Sequence, residues 1–192
     1  MSVVRKALIA VTLAVALTGL TACDGDGIVG GGSQQGFVSG NGAVKVLPPE
    51  KRPKVEGVEG TGLNGEPLSL ADYAGKIVVL PVWGSWCGPC RKEAPIFIKA
   101  AAELATKNVA FLGINSRDIS VENAQAWVRR AGLTYPSIHD PSGGLLLAFR
   151  SGLSPKSIPS VLFVDAEGRV AAAVRGEITA ITIKSVIEEI TA

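Results

Sequence analysis

Two cysteines, Cys87 and Cys90, stand on either side of Gly88-Pro89, directly after the apolar run Ile77–Trp83. A strand that hands a Cys-x-x-Cys pair to the first turn of a helix makes a reactive dithiol. The first sulfur faces the unpaired N–H groups and positive end of the helix, which favour thiolate over thiol. Cys87 is therefore the expected nucleophile, the more exposed of the two, with a pKa below the roughly 8.5 of a free thiol. Cys90 lies within reach to close a ring and to resolve a mixed disulfide formed on Cys87. Gly88 and Pro89 set the spacing, and proline suits a first helical turn, where its missing N–H costs little. The chemistry is disulfide exchange, and no cofactor is called for.

The elements that must position this pair follow from periodicity. Residues 77–83 form a continuous apolar strand, and residues 88 to about 107 show helical spacing through Ile96, Phe97, Ala100, Ala101 and Leu104. A second apolar strand spans Val109–Ile114. Ser120 caps a helix that Gly132 closes, with Trp127 on its core face. Short segments follow, a strand over 135–138 and a helix over 145–149. The strands 160–164 and 169–174 flank Asp165-Ala166-Glu167-Gly168 as a hairpin, and a last helix runs from about Thr179 to Ile190. Ahead of them, Gly62–Pro67 reads as a turn into a strand at 68–70. This order predicts an α/β fold with a central mixed sheet flanked by helices.

Arg5 and Lys6 followed by an uncharged run from Ala7 to Leu20 predict an export signal. That run falls short of the roughly 18 residues of a spanning helix. The next residues, Leu20-Thr21-Ala22-Cys23, resemble the lipobox of bacterial lipoproteins, which implies cleavage after residue 22 and lipidation of Cys23. An ordinary cleaved signal or an uncleaved anchor are the alternatives. Lipidation would leave one cysteine pair for the site and only His139, besides carboxylates, to complete a zinc site that needs two more ligands. Residues 23–55, rich in glycine and then in proline, are expected to be a flexible tether holding the domain of residues 56–192 off a membrane. Without residues 1–22, 17 basic residues face 17 acidic ones, which argues against nucleic acid as a partner.

The element order, the Trp-Cys-Gly-Pro-Cys site and Ser157-Ile158-Pro159-Ser160 resemble the thioredoxin-like fold. The stretch Trp83–Pro95, the turn over residues 62–75, the inserted βα unit ending at Tyr135-Pro136 and Val161–Gly168 are similar to the TlpA/ResA family of membrane-tethered thiol-disulfide oxidoreductases. The resemblance spans roughly residues 57–192 and implies an N-terminal hairpin and a cis Ile158–Pro159 peptide beside the sulfurs, able to pair with an extended substrate. It also places Glu93 near the site, where it would modulate thiol protonation, although a solvated helix carboxylate is the plain alternative. Trp86 is expected to shield the sulfurs and offer substrate a flat contact. Many thioredoxins carry a buried aspartate six residues before the first cysteine. Here that residue is Pro81, which predicts a strand bulge and a proton route through water or Glu93. His139 is expected to pair with Asp140 in a loop.

The resemblance implies protein thiol or disulfide substrates, among them the haem-attachment cysteines of apocytochrome c, and a CcdA-like membrane electron donor. It also implies an extracytoplasmic location on the bacterial cell membrane. Gly-Pro between the cysteines matches thioredoxin, a reductant at about −270 mV. Three other readings stand beside the reductase: a DsbE-like thiol oxidase, a peroxiredoxin-type thiol peroxidase, and a non-enzymatic Sco-like copper carrier. The peroxidase would need its cysteine at position 88, which is glycine, and the carrier a Cys-x-x-x-Cys spacing one residue longer.

Overall fold

The computed structural model describes residues 35–37, 43–150 and 157–192; the segment expected to be an export signal, Cys23 and residues 24–34 lie outside the described residues. The strands are β1 (Gln35–Phe37), β2 (Ala43–Val46), β3 (Glu59–Thr61), β4 (Pro67–Ser69), β5 (Ile77–Trp83), β6 (Val109–Phe111), β7 (Gly113–Ser116), β8 (Ser137–Asp140), β9 (Ser160–Val164) and β10 (Val170–Arg175). The α-helices are α1 (Gly88–Leu104), α2 (Val121–Ala131) and α3 (Ala180–Thr191), joined by 3-10 turns at Pro49–Lys51, Leu70–Tyr73 and Gly144–Phe149. The main sheet runs β1-β2-β10-β9-β5-β7-β8, with β6 also on β5, while β3 and β4 form a separate hairpin. β5 is antiparallel to β9 and parallel to β6 and β7, so the sheet is mixed.

β5 is apolar throughout because both of its faces are covered. Val79 joins Phe97, Ala100 and Leu104 of α1 and Ile183, Val186 and Ile190 of α3 on one face. Val78, Leu80 and Val82 turn the other way, onto Leu70, Phe149, Val55 and Val58. A third cluster at the C-terminal end of β5 holds Trp83, Cys87, Cys90, Ala94, Ala124, Trp127 and Leu63. There the rings of Trp83 and Trp127 lie 4.5 Å apart, and the Trp83 indole N–H donates to Ser137 Oγ at 3.2 Å. The helix ends follow the sequence signals. Ser120 Oγ accepts from the Asn123 N–H, Gly132 closes α2 at φ 71°, and Thr179 Oγ1 accepts from the Thr182 N–H.

Three expectations need correction. The segment expected to be a flexible tether through residue 55 is sheet-paired in its second half. β2 pairs with β10 from Ala43↔Arg175 to Val46↔Ala172, and a bridge joins Lys54 to Arg169. Alternation in Ala43-Val44-Lys45-Val46 lets Val44 reach the core, where it is buried, and this outweighs the glycine-rich approach. The expected strand over 135–138 begins two residues later, as Tyr135 inserts into the core ahead of β8.

Pro81 makes no bulge. It keeps register with Val161 on β9, and the pairs Ile77↔Val109 and Val82↔Ile114 share one offset across it. The missing N–H falls opposite Leu112, where the neighbouring strand breaks into β6 and β7, so the ladder loses a bond without changing register. A bulge does occur in β10, between Val170 and Ala172.

Val44→Ala removes two buried methyl groups from β2. It is expected to lower unfolding free energy by about 2 kcal/mol in urea denaturation, whereas a tether residue would show no change.

Candidate active site

β5 ends at Trp83, and Gly84-Ser85 turn the chain so that the Cys87 N–H donates to the Gly84 carbonyl at 3.0 Å. Cys87 is the N-cap of α1 in extended backbone, and its Sγ accepts from the Cys90 N–H at 3.2 Å. Gly88 and Pro89 occupy the first two helical positions, where backbone N–H groups have no intrahelical partner. The two cysteines are joined as a disulfide with Cα atoms 5.3 Å apart. Cys87 is not the more exposed sulfur-bearing residue: it is 3% accessible and Cys90 4%. Leu63, Trp83, Ala94 and Trp127 pack around both, and Ile158 packs against the same cluster.

The Ile158–Pro159 peptide is cis, and the Pro159 carbonyl accepts from the Gly176 N–H at 3.1 Å. Trp86 is 52% exposed, with its indole lying across Gly84 and its N–H donating to the Arg117 carbonyl at 3.1 Å. A Cβ on residue 84 would collide with that ring, so glycine there is a packing requirement.

Glu93 is not a solvated helix carboxylate. One turn beyond Cys90, it points inward, is 3% exposed, and takes a single hydrogen bond, from the Ile178 N–H to Oε1 at 2.8 Å. Burial pushes its pKa up to about 7; the Ile178 N–H opposes that shift and the charge of Glu177 adds to it. A cavity of about 10 Å³ lies among Pro81, Cys90, Glu93, Trp127, Tyr135 and Ser160. That is about the space of one water. Cys90 and Glu93 thus share a small enclosed space, with Pro81 in the wall where an acid would stand in many thioredoxins. Burial raises the Tyr135 hydroxyl pKa, the Glu93 charge reinforcing it, so Tyr135 stays neutral there.

His139 does not pair with Asp140. Its Nδ1 lies 2.9 Å from Asn115 Oδ1, because β8 runs beside β7 in a register that opposes these two residues. The Asp140 carboxylate instead accepts from the N–H groups of Gly144 and Leu145 and from the Ser142 hydroxyl. A polar group absent from the sequence expectations is Asp118, which touches Ser85 and Asn115. Its signal was the polar run Asn115-Ser116-Arg117-Asp118 at the C-terminal end of the strand beside β5, where sites gather in open α/β sheets. Among the described residues no cluster of three or more His, Cys, Asp or Glu side chains is arranged to hold a metal ion.

Residues 51–173 match the AhpC/TSA family. The chain is 30% identical over 133 residues to the thiol-disulfide oxidoreductase ResA of Bacillus thuringiensis, covering 68% of this chain and 73% of that protein. Among solved structures, a DsbF homologue from Corynebacterium diphtheriae superposes with a TM-score of 0.71 at 35% identity, covering 82% of this chain and 99% of that one. A secreted thiol-disulfide isomerase from Corynebacterium glutamicum superposes with a TM-score of 0.72 at 30% identity, covering 83% and 98%.

The Glu93 shift fixes a pH dependence of stability. Its folded pKa, about 7, lies above the ordinary 4.5, so between these values the folded protein holds a proton that the unfolded chain has released. Stability from this group is full below pH 4.5 and falls as pH rises to 7, by about 3 kcal/mol. Glu93→Gln keeps the acceptor for Ile178 and abolishes that decline. Urea denaturation at pH 4.5 and pH 8 should show the variant gaining on the parent with rising pH; parallel behaviour would contradict the assignment.

Proposed function

The chain belongs to the AhpC/TSA family and is a thiol-disulfide oxidoreductase, and on that footing we propose that it is a lipid-tethered, extracytoplasmic disulfide reductase acting through Cys87 and Cys90. The observation that carries this reading is the disulfide at the start of α1, with the Cys90 N–H on Cys87 Sγ at 3.2 Å. In the reduced protein that N–H and the helix dipole would stabilise a Cys87 thiolate.

The cycle balances two electrons. Cys87 thiolate attacks one sulfur of a substrate disulfide, the substrate S–S bond breaks, and the departing thiolate takes a proton. The Cys90 thiol loses its proton and attacks Cys87 Sγ; the second substrate thiolate leaves, and the Cys87–Cys90 disulfide remains. The proton from Cys90 needs an acceptor in the interior. Glu93 is the carboxyl that shares a cavity with Cys90, and its pKa of about 7 suits proton exchange near neutrality. Trp86 offers substrate an exposed aromatic face, while the Ile158–Pro159 segment packs against the sulfur cluster where an extended substrate would lie.

Reduction is supported by Gly-Pro between the cysteines, the dipeptide of strongly reducing thioredoxin. The resemblance to TlpA/ResA proteins supports cysteine pairs of apocytochrome c as one substrate and a CcdA-like membrane protein as electron donor. The sequence Leu20-Thr21-Ala22-Cys23 supports cleavage after residue 22 and a lipid on Cys23. The secreted relative in Corynebacterium glutamicum supports an extracytoplasmic location. A second reading, thiol oxidation, is favoured by the likeness to a DsbF homologue. Equilibration in glutathione buffers separates the two: a potential near −270 mV supports reduction, and one above about −150 mV supports oxidation.

Cys90→Ser should leave substrates on Cys87 as mixed disulfides that mass spectrometry identifies from an extracytoplasmic fraction. A folded variant that captures no cysteine-linked protein would defeat the assignment of nucleophile and resolver.

A further inference from the structure

A second buried carboxylate stands beside the reactive turn. Asp118, 4% exposed, follows β7 and accepts three hydrogen bonds: from the Ser85 N–H at 2.7 Å, the Ser85 hydroxyl at 2.6 Å and the Asn115 side-chain amide at 2.6 Å. The next residue of the same turn is tied to the same loop, since the Trp86 indole N–H donates to the Arg117 carbonyl. Both residues that precede Cys87 are thus held from one side.

The loop that holds them is itself held in an unfavourable form. Arg117 has φ 60°, a left-handed conformation that costs a side-chain-bearing residue free energy. Such a conformation persists where the surroundings over-determine it. Here the Arg117 N–H donates to the Asp140 carbonyl at 2.9 Å, while Asn115 is fixed from both ends. Its amide N–H group donates to Asp118, which leaves its oxygen as acceptor and makes His139 Nδ1 the donor to it. Three hydrogen bonds from two separate segments onto one carboxylate fix those segments relative to each other.

We infer that Asp118 is a positioning residue for thiol-disulfide exchange: through Ser85 it pins the turn that keeps Cys87 at the start of α1 and presents Trp86 as a fixed face beside the disulfide. The inference rests on the oxidoreductase reading of Cys87 and Cys90. If Asp118 only finished strand β7, its loss would lower thermal stability and leave the folded enzyme's chemistry alone. A positioning role instead alters the reactivity of a sulfur that Asp118 does not bond.

The test uses the full-length protein with Asp118→Asn, Ser85→Ala and Ser85→Thr, each checked for folding by circular dichroism. Asp118→Asn removes the charge; its amide N–H can donate to the Ser85 hydroxyl while its one oxygen still accepts from the Ser85 N–H and the Asn115 amide, so the contacts persist as weaker, neutral bonds. It is expected to lower kcat/KM for insulin reduction about fivefold or more, the scale of exchanging charge-assisted bonds for neutral ones. Ser85→Ala leaves the carboxylate in place but removes one of its donors. The looser turn and the less compensated charge both disfavour a thiolate at Cys87. The midpoint of its pH-dependent alkylation by iodoacetamide, read peptide by peptide in mass spectra, should therefore rise by about half a unit or more. Ser85→Thr keeps the hydroxyl and should restore the parent midpoint. Folded Asp118→Asn and Ser85→Ala proteins within about twofold of the parent in kcat/KM, and within about 0.3 pH unit of it in alkylation midpoint, would overturn the inference. If Asp118→Asn does not fold, the alkylation midpoints of the two Ser85 variants decide. An inactive parent protein would instead strike at the oxidoreductase reading itself.

Discussion

Burial of β5 on both faces is the constraint from which the site follows. Its side chains alternate between two apolar clusters, so the strand can neither slide by one residue nor tilt without moving several of them into the wrong layer. The strand therefore ends at a fixed place and in a fixed direction, and Gly84-Ser85 starts its turn from a rigid base. Cys87 becomes the cap of α1 because that base and the inner face of the helix, through Phe97, Ala100 and Leu104, are locked to the same cluster. Core packing thus fixes where the turn begins, and the bonds from Ser85 to Asp118 hold the turn itself.

Two carboxylates sit within this apolar frame, and their surroundings differ. Asp118 accepts three hydrogen bonds, which hold Ser85 and Asn115 in fixed relation. Glu93 has one, from Ile178, and is pushed toward its neutral form at ordinary pH. A group that holds shape needs every donor it can have, while a group that exchanges protons needs its two states close in free energy. For Glu93, burial sets this balance and the single Ile178 N–H offsets it only in part.

Much of this was legible from residue types. The dithiol, the order of strands and helices, and the helix ends at Ser120 and Gly132 rest on local chemistry that a sequence displays. The depth of Glu93 was not legible, because helical spacing gives a face but not what covers it. Nor was the partner of His139, since Asn115 lies on another strand and only the β7–β8 register brings the two together. Pro81 was misread for a related reason. Its missing donor was visible, yet the break at Leu112 that absorbs it belongs to the neighbouring strand. β2 escaped notice because four alternating residues among glycines carry too little signal without the β10 edge they complete.

The bond from Ile178 to Glu93 ties the interior of the site to the segment that leads into α3. Ile178 precedes Thr179, the cap of that helix, so the acceptor strength of one buried oxygen bears on how firmly the C-terminal helix is seated. A carboxylate grips an amide more tightly than a neutral acid does. Each proton that Glu93 takes up or releases would thus loosen or tighten the seat of the C-terminal helix.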